Sequence, residues 1–113
     1  MQVLSGAGAF TAPRSADGSH WIEHLSVADL SVGTYSVPRG GTDDQDPHTE
    51  DEIYVVTAGR ARLTAQGQSV AVAAGSVMYV PAGEPHQFTD VTDDLAVLVL
   101  FAPAEYSRRA SPG

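Results

Sequence analysis

The feature that most constrains this chain is its punctuation. Between residues 20 and 102, apolar and β-branched runs last four to eight residues before Gly, Pro or an acidic turn breaks them. No stretch carries a 3.6-residue periodicity with capping residues, so long helices are excluded. Short runs at regular spacing with turn residues between them predict an all-β sandwich or barrel. The expected strands are 20–26, 30–37, 51–57, 60–65, 69–73, 76–80, 86–89 and 95–102. The expected turns are 58–59, 66–68, 74–75, 81–85 and 90–94. Residues 1–18 read as an irregular arm and 19–103 as one barrel domain. Residues 104–113 read as a frayed polar tail with one helical turn at 104–108.

Composition then removes whole classes of function. The 113 residues include no Cys, which excludes disulfides, thiolate zinc sites, iron–sulfur clusters and a cysteine nucleophile. Six Lys and Arg stand against fourteen Asp and Glu, a formal charge of −8. Nucleic acid and anionic membrane surfaces need a basic footprint, so neither is an expected partner. Residues 1–10 lack a basic and apolar leader pattern, and the longest apolar run, 95–102, is too short to span a bilayer. A cytoplasmic location is the expectation. Residues 95–102 are apolar on both faces, as are 53–56, whereas a sheet with one wet face alternates. The second face is therefore expected to be covered by the N-terminal arm or by a second copy in a homodimer.

Candidate chemistry gathers between residues 40 and 90, in two histidine-bearing clusters. One runs Gly40 to Glu52 and holds Asp46, His48 and Glu52; the other runs Gly75 to His86. His48, Glu52 and His86 could meet around one metal ion. Against this, two residues four apart on an extended strand sit about 13 Å apart, too far to share a metal unless the chain bends. By itself His48 reads as an exposed loop histidine. The second cluster is more telling. Pro81, Gly83 and Pro85 restrict the turn that delivers His86 to the first position of a strand, and a preorganised site needs such rigidity.

The two clusters resemble those of the cupin family. The family's first motif is Gly, five residues, His, one residue, His, three or four residues, Glu, six residues, Gly. Gly40, Asp46, His48, Glu52 and Gly59 follow that spacing, with Asp46 in place of the first His. The second motif is Gly, five residues, Pro, one residue, Gly, two residues, His, three residues, Asn. Gly75, Pro81, Gly83, His86 and Asp90 stand in its register, with Asp90 in place of Asn at a position that is not normally a ligand. The resemblance implies a double-stranded β-helix, or jelly-roll barrel, with one divalent transition metal inside its mouth. Carried over by position, the implied ligands are His48, Glu52 and His86, with Asp46 as a fourth. Asp46 could supply an oxygen, could stand aside and leave open positions, or could give way to Gln45. Two histidines and one carboxylate suit Fe(II), and Mn, Ni, Co or Zn can use the same donors.

A small organic molecule is the expected partner. One reading is a metal-dependent enzyme: first a dioxygenase, then a metal-assisted isomerase or cyclase, with Glu52 moving a proton as the catalytic residue. The alternative is a non-enzymatic binding or sensing module, and a metal-free structural relic is a third. Tyr54 and Phe88 share strand faces with Glu52 and His86 and are expected to fill the core, as are Tyr35, Met78 and Tyr79. His20 and His24 are expected to be surface or satisfied histidines. Arg60 and Arg62 are expected to be solvated or paired with the acidic loop rather than to bind an acidic substrate.

Overall fold

The computed structural model describes residues 1–15, 17–45 and 47–107. They form six strands and, as the punctuation predicts, no helix: β1 (His20–Val27), β2 (Leu30–Val37), β3 (Asp51–Ala65), β4 (Gln68–Ala73), β5 (Val77–Val80) and β6 (His86–Ala102). All pairings are antiparallel. The order is β1-β2-β6-β3-β4, with β5 pairing the first half of β3. β3 and β6 thus pair along nearly their whole length and carry the molecule. Among the described residues no helix is long and apolar enough to cross a membrane.

Two expected turns are bends within single strands. Residues 51–57 and 60–65 form one strand, β3, and residues 86–89 and 95–102 form one strand, β6. The physical sign is a change of parity. In β3 the buried residues are Glu52, Tyr54 and Val56, then Ala61 and Leu63, so the inward set moves from even to odd numbers. The register with β6 slips between Val56 and Arg62, as β-bulges require. Gly59 sits at this bend with φ +89°, and a Cβ there would lie 2.2 Å from the Asp94 carbonyl oxygen. A turn glycine and a bulge glycine look alike in sequence; the pairing on each side decides between them. Asp90, at φ +49°, marks the matching irregularity in β6.

The core lies between the inward faces. Tyr35, Val37, Tyr54, Val56, Leu63, Phe88, Leu95, Val97, Val99 and Phe101 form one buried cluster, with Met78 packed against it. Tyr79, expected in the core, points outward and is 61% exposed. Its strand neighbours Met78 and Val80 take the inward phase.

The arm covers part of the second face. All of β2 after Leu30 is buried, on both faces. Gly8 N–H donates to Thr34 Oγ1 at 2.8 Å, Thr11 N–H to Ser36 Oγ at 3.1 Å, and Thr57 Oγ1 donates to the Gly8 carbonyl. His24 Nε2 lies 2.6 Å from Thr34 Oγ1, so it is a satisfied histidine. Farther along the same face, Tyr79, Ile53 and Leu100 stand side by side across β5, β3 and β6, with Tyr79 largely exposed.

Candidate functional site

The site is built where the loop before β3 meets the turn before β6. The described residues of the 42–50 loop belong to no strand, so their backbone and side chains must find other partners. Asp43 organises them. It is 2% exposed and accepts from Tyr35 OH at 2.7 Å, Gln45 N–H at 3.2 Å and Phe88 N–H at 2.8 Å. Gln87 Nε2 donates to the Asp43 carbonyl at 2.8 Å, and Gly83 N–H to the His48 carbonyl at 2.7 Å. Ala82 N–H donates to Asp51 Oδ1 at 2.8 Å. The two histidine clusters are therefore stitched together by backbone groups and by the side chains of Asp51 and Gln87. Gly83, at φ +75°, adopts a conformation open to glycine, and this lets the 81–85 turn present its N–H to the loop.

His48, Glu52 and His86 do come together. His48 lies before the strand rather than on it, so the extended distance to Glu52 does not apply: His48 Nδ1 and Glu52 Oε2 are 3.9 Å apart. His86 opens β6, as the rigid turn predicted, and its Nε2 is 3.0 Å from Glu52 Oε1. Glu52 is 2% exposed and stands between the two rings. Asp46 lies outside the described residues. Gln45 does not swing toward the histidines as a direct partner; its Nε2 donates to Tyr54 OH at 3.1 Å.

The two histidines differ in surroundings. His86 Nδ1 donates to the Glu84 carbonyl at 2.8 Å, and Nε2 faces both Glu52 and, at 2.6 Å, Tyr54 OH. Burial works against a charge on this ring. The Glu52 hydrogen bond, the Glu84 carbonyl and the negative charges of Glu52 and Asp43 together outweigh it, and its pKa lies above the ordinary value. Tyr54 has its pKa pushed upward, first by burial and then by Glu52 and Asp43. It therefore remains a phenol and acts as a hydrogen-bonding group. Its hydroxyl gives it a role at the site beyond the core filling expected of it.

His48 is held by residues the sequence left in the tail. Its Nε2 is 2.7 Å from Glu105 Oε2, its ring stacks on Tyr106 at 5.0 Å and 24°, and Phe101 packs on it at 4.4 Å. Glu105 N–H donates to Ser31 Oγ at 2.8 Å, and Tyr106 N–H donates to the buried Glu50 carboxylate. Ser107 N–H returns to the Ala104 carbonyl, closing a single turn. The described part of the tail is thus docked on the barrel mouth, not frayed. An ionised carboxylate only accepts, so Glu105 calls for a proton on His48 Nε2, and in the neutral ring that leaves a lone pair on Nδ1.

That lone pair and Glu52 Oε2 are buried and have no hydrogen-bond partner. Two acceptors facing each other without a proton cost about 1–3 kcal/mol each. A cation between them would satisfy both. The donor set of two imidazoles and one carboxylate fits a divalent transition metal in kind. The described residues form no ready-made cage of three or more ligands, and His86 Nε2 is in hydrogen-bond range of Glu52 Oε1 at 3.0 Å. Metal entry there would expel the proton between them.

Arg60 and Arg62 stand apart from the cavity beside His48. Arg60 is exposed and 3.9 Å from Asp93, and Arg62 donates to Ser69. They line a separate depression with Asp90, so they contribute no cation to the histidine site.

The chain matches the Cupin domain family over residues 33–102. It is 45% identical over 94 residues to an uncharacterised protein of Streptomyces coelicolor, covering 83% of this chain and 90% of that one. Among solved structures, it superposes with TM-score 0.68 on an RmlC-like cupin family protein with a double-stranded β-helix fold from Methanocaldococcus jannaschii. That pair is 18% identical and covers 84% of this chain and 89% of the other. It also superposes with TM-score 0.64 on a predicted oxalate decarboxylase from Thermotoga maritima, 22% identical, covering 74% and 79%. At these identities the structural matches speak for the fold alone.

Proposed function

Because this chain belongs to the cupin family, we propose that its barrel mouth binds one divalent transition metal between His48, Glu52 and His86 and uses it on a small organic molecule. The observation that carries the reading is the pair of buried, partnerless acceptors, His48 Nδ1 and Glu52 Oε2, 3.9 Å apart. Fe(II), Mn, Ni, Co and Zn all suit these donors, and availability chooses among them. A bound metal would supply Lewis-acid or oxygen chemistry, with dioxygenase-like oxidation the first candidate and isomerisation or cyclisation the second.

The chain's own residues would do the rest. Glu105 fixes the proton of His48 on Nε2 and so keeps Nδ1 basic. The Glu84 carbonyl does the same for His86 through Nδ1, orienting the ring. Glu52 and His86 already share a hydrogen bond in a water-poor pocket, so Glu52 is the group placed to move a proton. Tyr54, a phenol held between Gln45 and His86, donates or accepts a hydrogen bond without ionising.

The test is metal content after reconstitution. About one equivalent is expected for the natural chain, with near-complete loss in His86→Ala and His48→Ala. Asp46→Ala is expected to lose less than His48→Ala; an equal loss would make Asp46 a full ligand. Well under one equivalent in metal-replete natural protein would sink the proposal. Oxygen uptake on small phenols, diketones and thiols then tests turnover. Full metal with ligand binding and no turnover would favour the binding module over the enzyme.

A further inference from the structure

Next to His48 the barrel mouth opens into a cavity of about 380 Å³. Its size falls in the range that holds a small ligand. Four aromatic side chains line it, Trp21, Tyr35, Phe101 and Tyr106. Two carboxylates, Asp44 and Glu105, stand at it, with Ser19, Gln45 and buried His48 beside them. None of the described lining residues is Lys or Arg. Trp21 is fixed in place by a missing side chain. A Cβ on Gly33 would fall 2.1 Å from the indole, so the ring lies directly over that glycine and edge-on to Phe101 at 6.2 Å. Trp21 is 36% exposed and Tyr106 40%, large exposure for aromatic rings packed at one opening.

This combination has a chemical preference. Aromatic faces carry negative quadrupole density and attract organic cations. A carboxylate ligand would approach Asp44 and Glu105 with no described cation to compensate the repulsion. We propose that this cavity seats the small molecule handled at the adjoining histidine site, and that it selects an organic cation, a small amine or quaternary ammonium, over a carboxylic acid. The cationic nitrogen is held by Asp44 and Glu105, and the carbon skeleton lies against Trp21, Phe101 and Tyr106. The proposal rests on the reading that this site takes a small organic molecule, and it names the class.

Trp21 is the chain's single Trp and forms one wall, so its fluorescence reports occupancy directly. The full chain is titrated with benzyltrimethylammonium chloride and, at equal ionic strength, with sodium phenylacetate, each with and without added Zn(II). Heats of binding are measured in parallel. The expected result is saturable binding of the cation, roughly tenfold tighter than the carboxylate. Asp44→Asn is expected to weaken the cation roughly fivefold with no change in metal content. Equal or tighter binding of phenylacetate would overturn the proposal, as would unchanged cation affinity in Asp44→Asn. Because binding is scored with and without metal, cation selectivity with no metal bound would refute only the metal reading. Metal bound with no selectivity would refute only this one.

Discussion

Asp43 and Asp44 are adjacent and identical in sequence, and the structure gives them opposite weights. Asp43→Ala should destabilise the fold strongly, and Asp44→Ala should not. Asp43 is buried and takes hydrogen bonds from Tyr35 OH at 2.7 Å and Phe88 N–H at 2.8 Å, both buried, and from Gln45 N–H at 3.2 Å. Truncation leaves two buried donors without a partner, at about 1–3 kcal/mol each. Relief of the buried carboxylate's desolvation returns part of this. A net loss of about 3 kcal/mol is expected, near 12 °C in Tm at about 4 °C per kcal/mol for a domain of this size. Asp44 is exposed and, among the described residues, accepts a 3.3 Å hydrogen bond from Ser19 Oγ, so its removal should cost within about 0.5 kcal/mol. Urea unfolding of both variants, followed by Trp21 fluorescence, measures the difference. Equal midpoints would refute the claim that Asp43 organises the 42–50 loop. Because that loop carries His48, Asp43→Ala should also lower metal retention.

Three further expectations can be checked on the same protein. Gly59→Ala should cost about 3–4 kcal/mol, combining a left-handed backbone with a 2.2 Å overlap on the Asp94 carbonyl. Gly83→Ala, also at positive φ but with nothing within 4 Å, should cost about 1 kcal/mol, and equal urea midpoints would remove the bulge argument. Burial, then the Asp43 charge, raises the pKa of Tyr35, so the folded phenol keeps its proton where unfolded phenols lose theirs. Stability is therefore full below about pH 10 and falls as pH rises above it. Tyr35→Phe should lose about 1 kcal/mol at pH 7 and flatten the alkaline decline, read from urea midpoints at pH 8 and pH 11. Finally, we propose that the row of Tyr79, Ile53 and Leu100, bordering a nearly apolar groove with Leu30, is covered by a second copy of the chain. Light scattering should give a dimer at micromolar concentration and a monomer for Tyr79→Glu; a natural chain that is monomeric there refutes it.

Much of the fold was legible because its signals are local. β2 ends where expected, and β1, β4 and β5 fall within one residue of expectation at each end, since Gly and Pro set turn geometry without reference to distant neighbours. His86 opens β6 for the same reason. The long strands were not legible. Gly59 and the acidic run 90–94 look like turns, and only pairing of β3 with β6 straightens them into bent strands. The outward phase of Tyr79 likewise depends on which neighbours the pleat faces. The arm's role was foreseen as one of two covers for the second face, and it proved to cover the part around Thr34 and Ser36.

The all-β class, and the placing of His48, Glu52 and His86 in the spacing of one family, were readable from the residues alone. Spacing and turn chemistry are properties of short segments. It took the folded chain to show that His48 folds back to within 3.9 Å of Glu52, that Glu105 and Tyr106 cross the mouth to hold its ring, and that Asp43 is buried while Asp44 is not. The His48 contacts join residues 57 and 58 positions apart, 48 with 105 and 48 with 106. Whether such a pair meets is set by the pairing of β3 with β6 and by the demand that every buried polar group find a partner. Neither condition is written in the residues next to those it places.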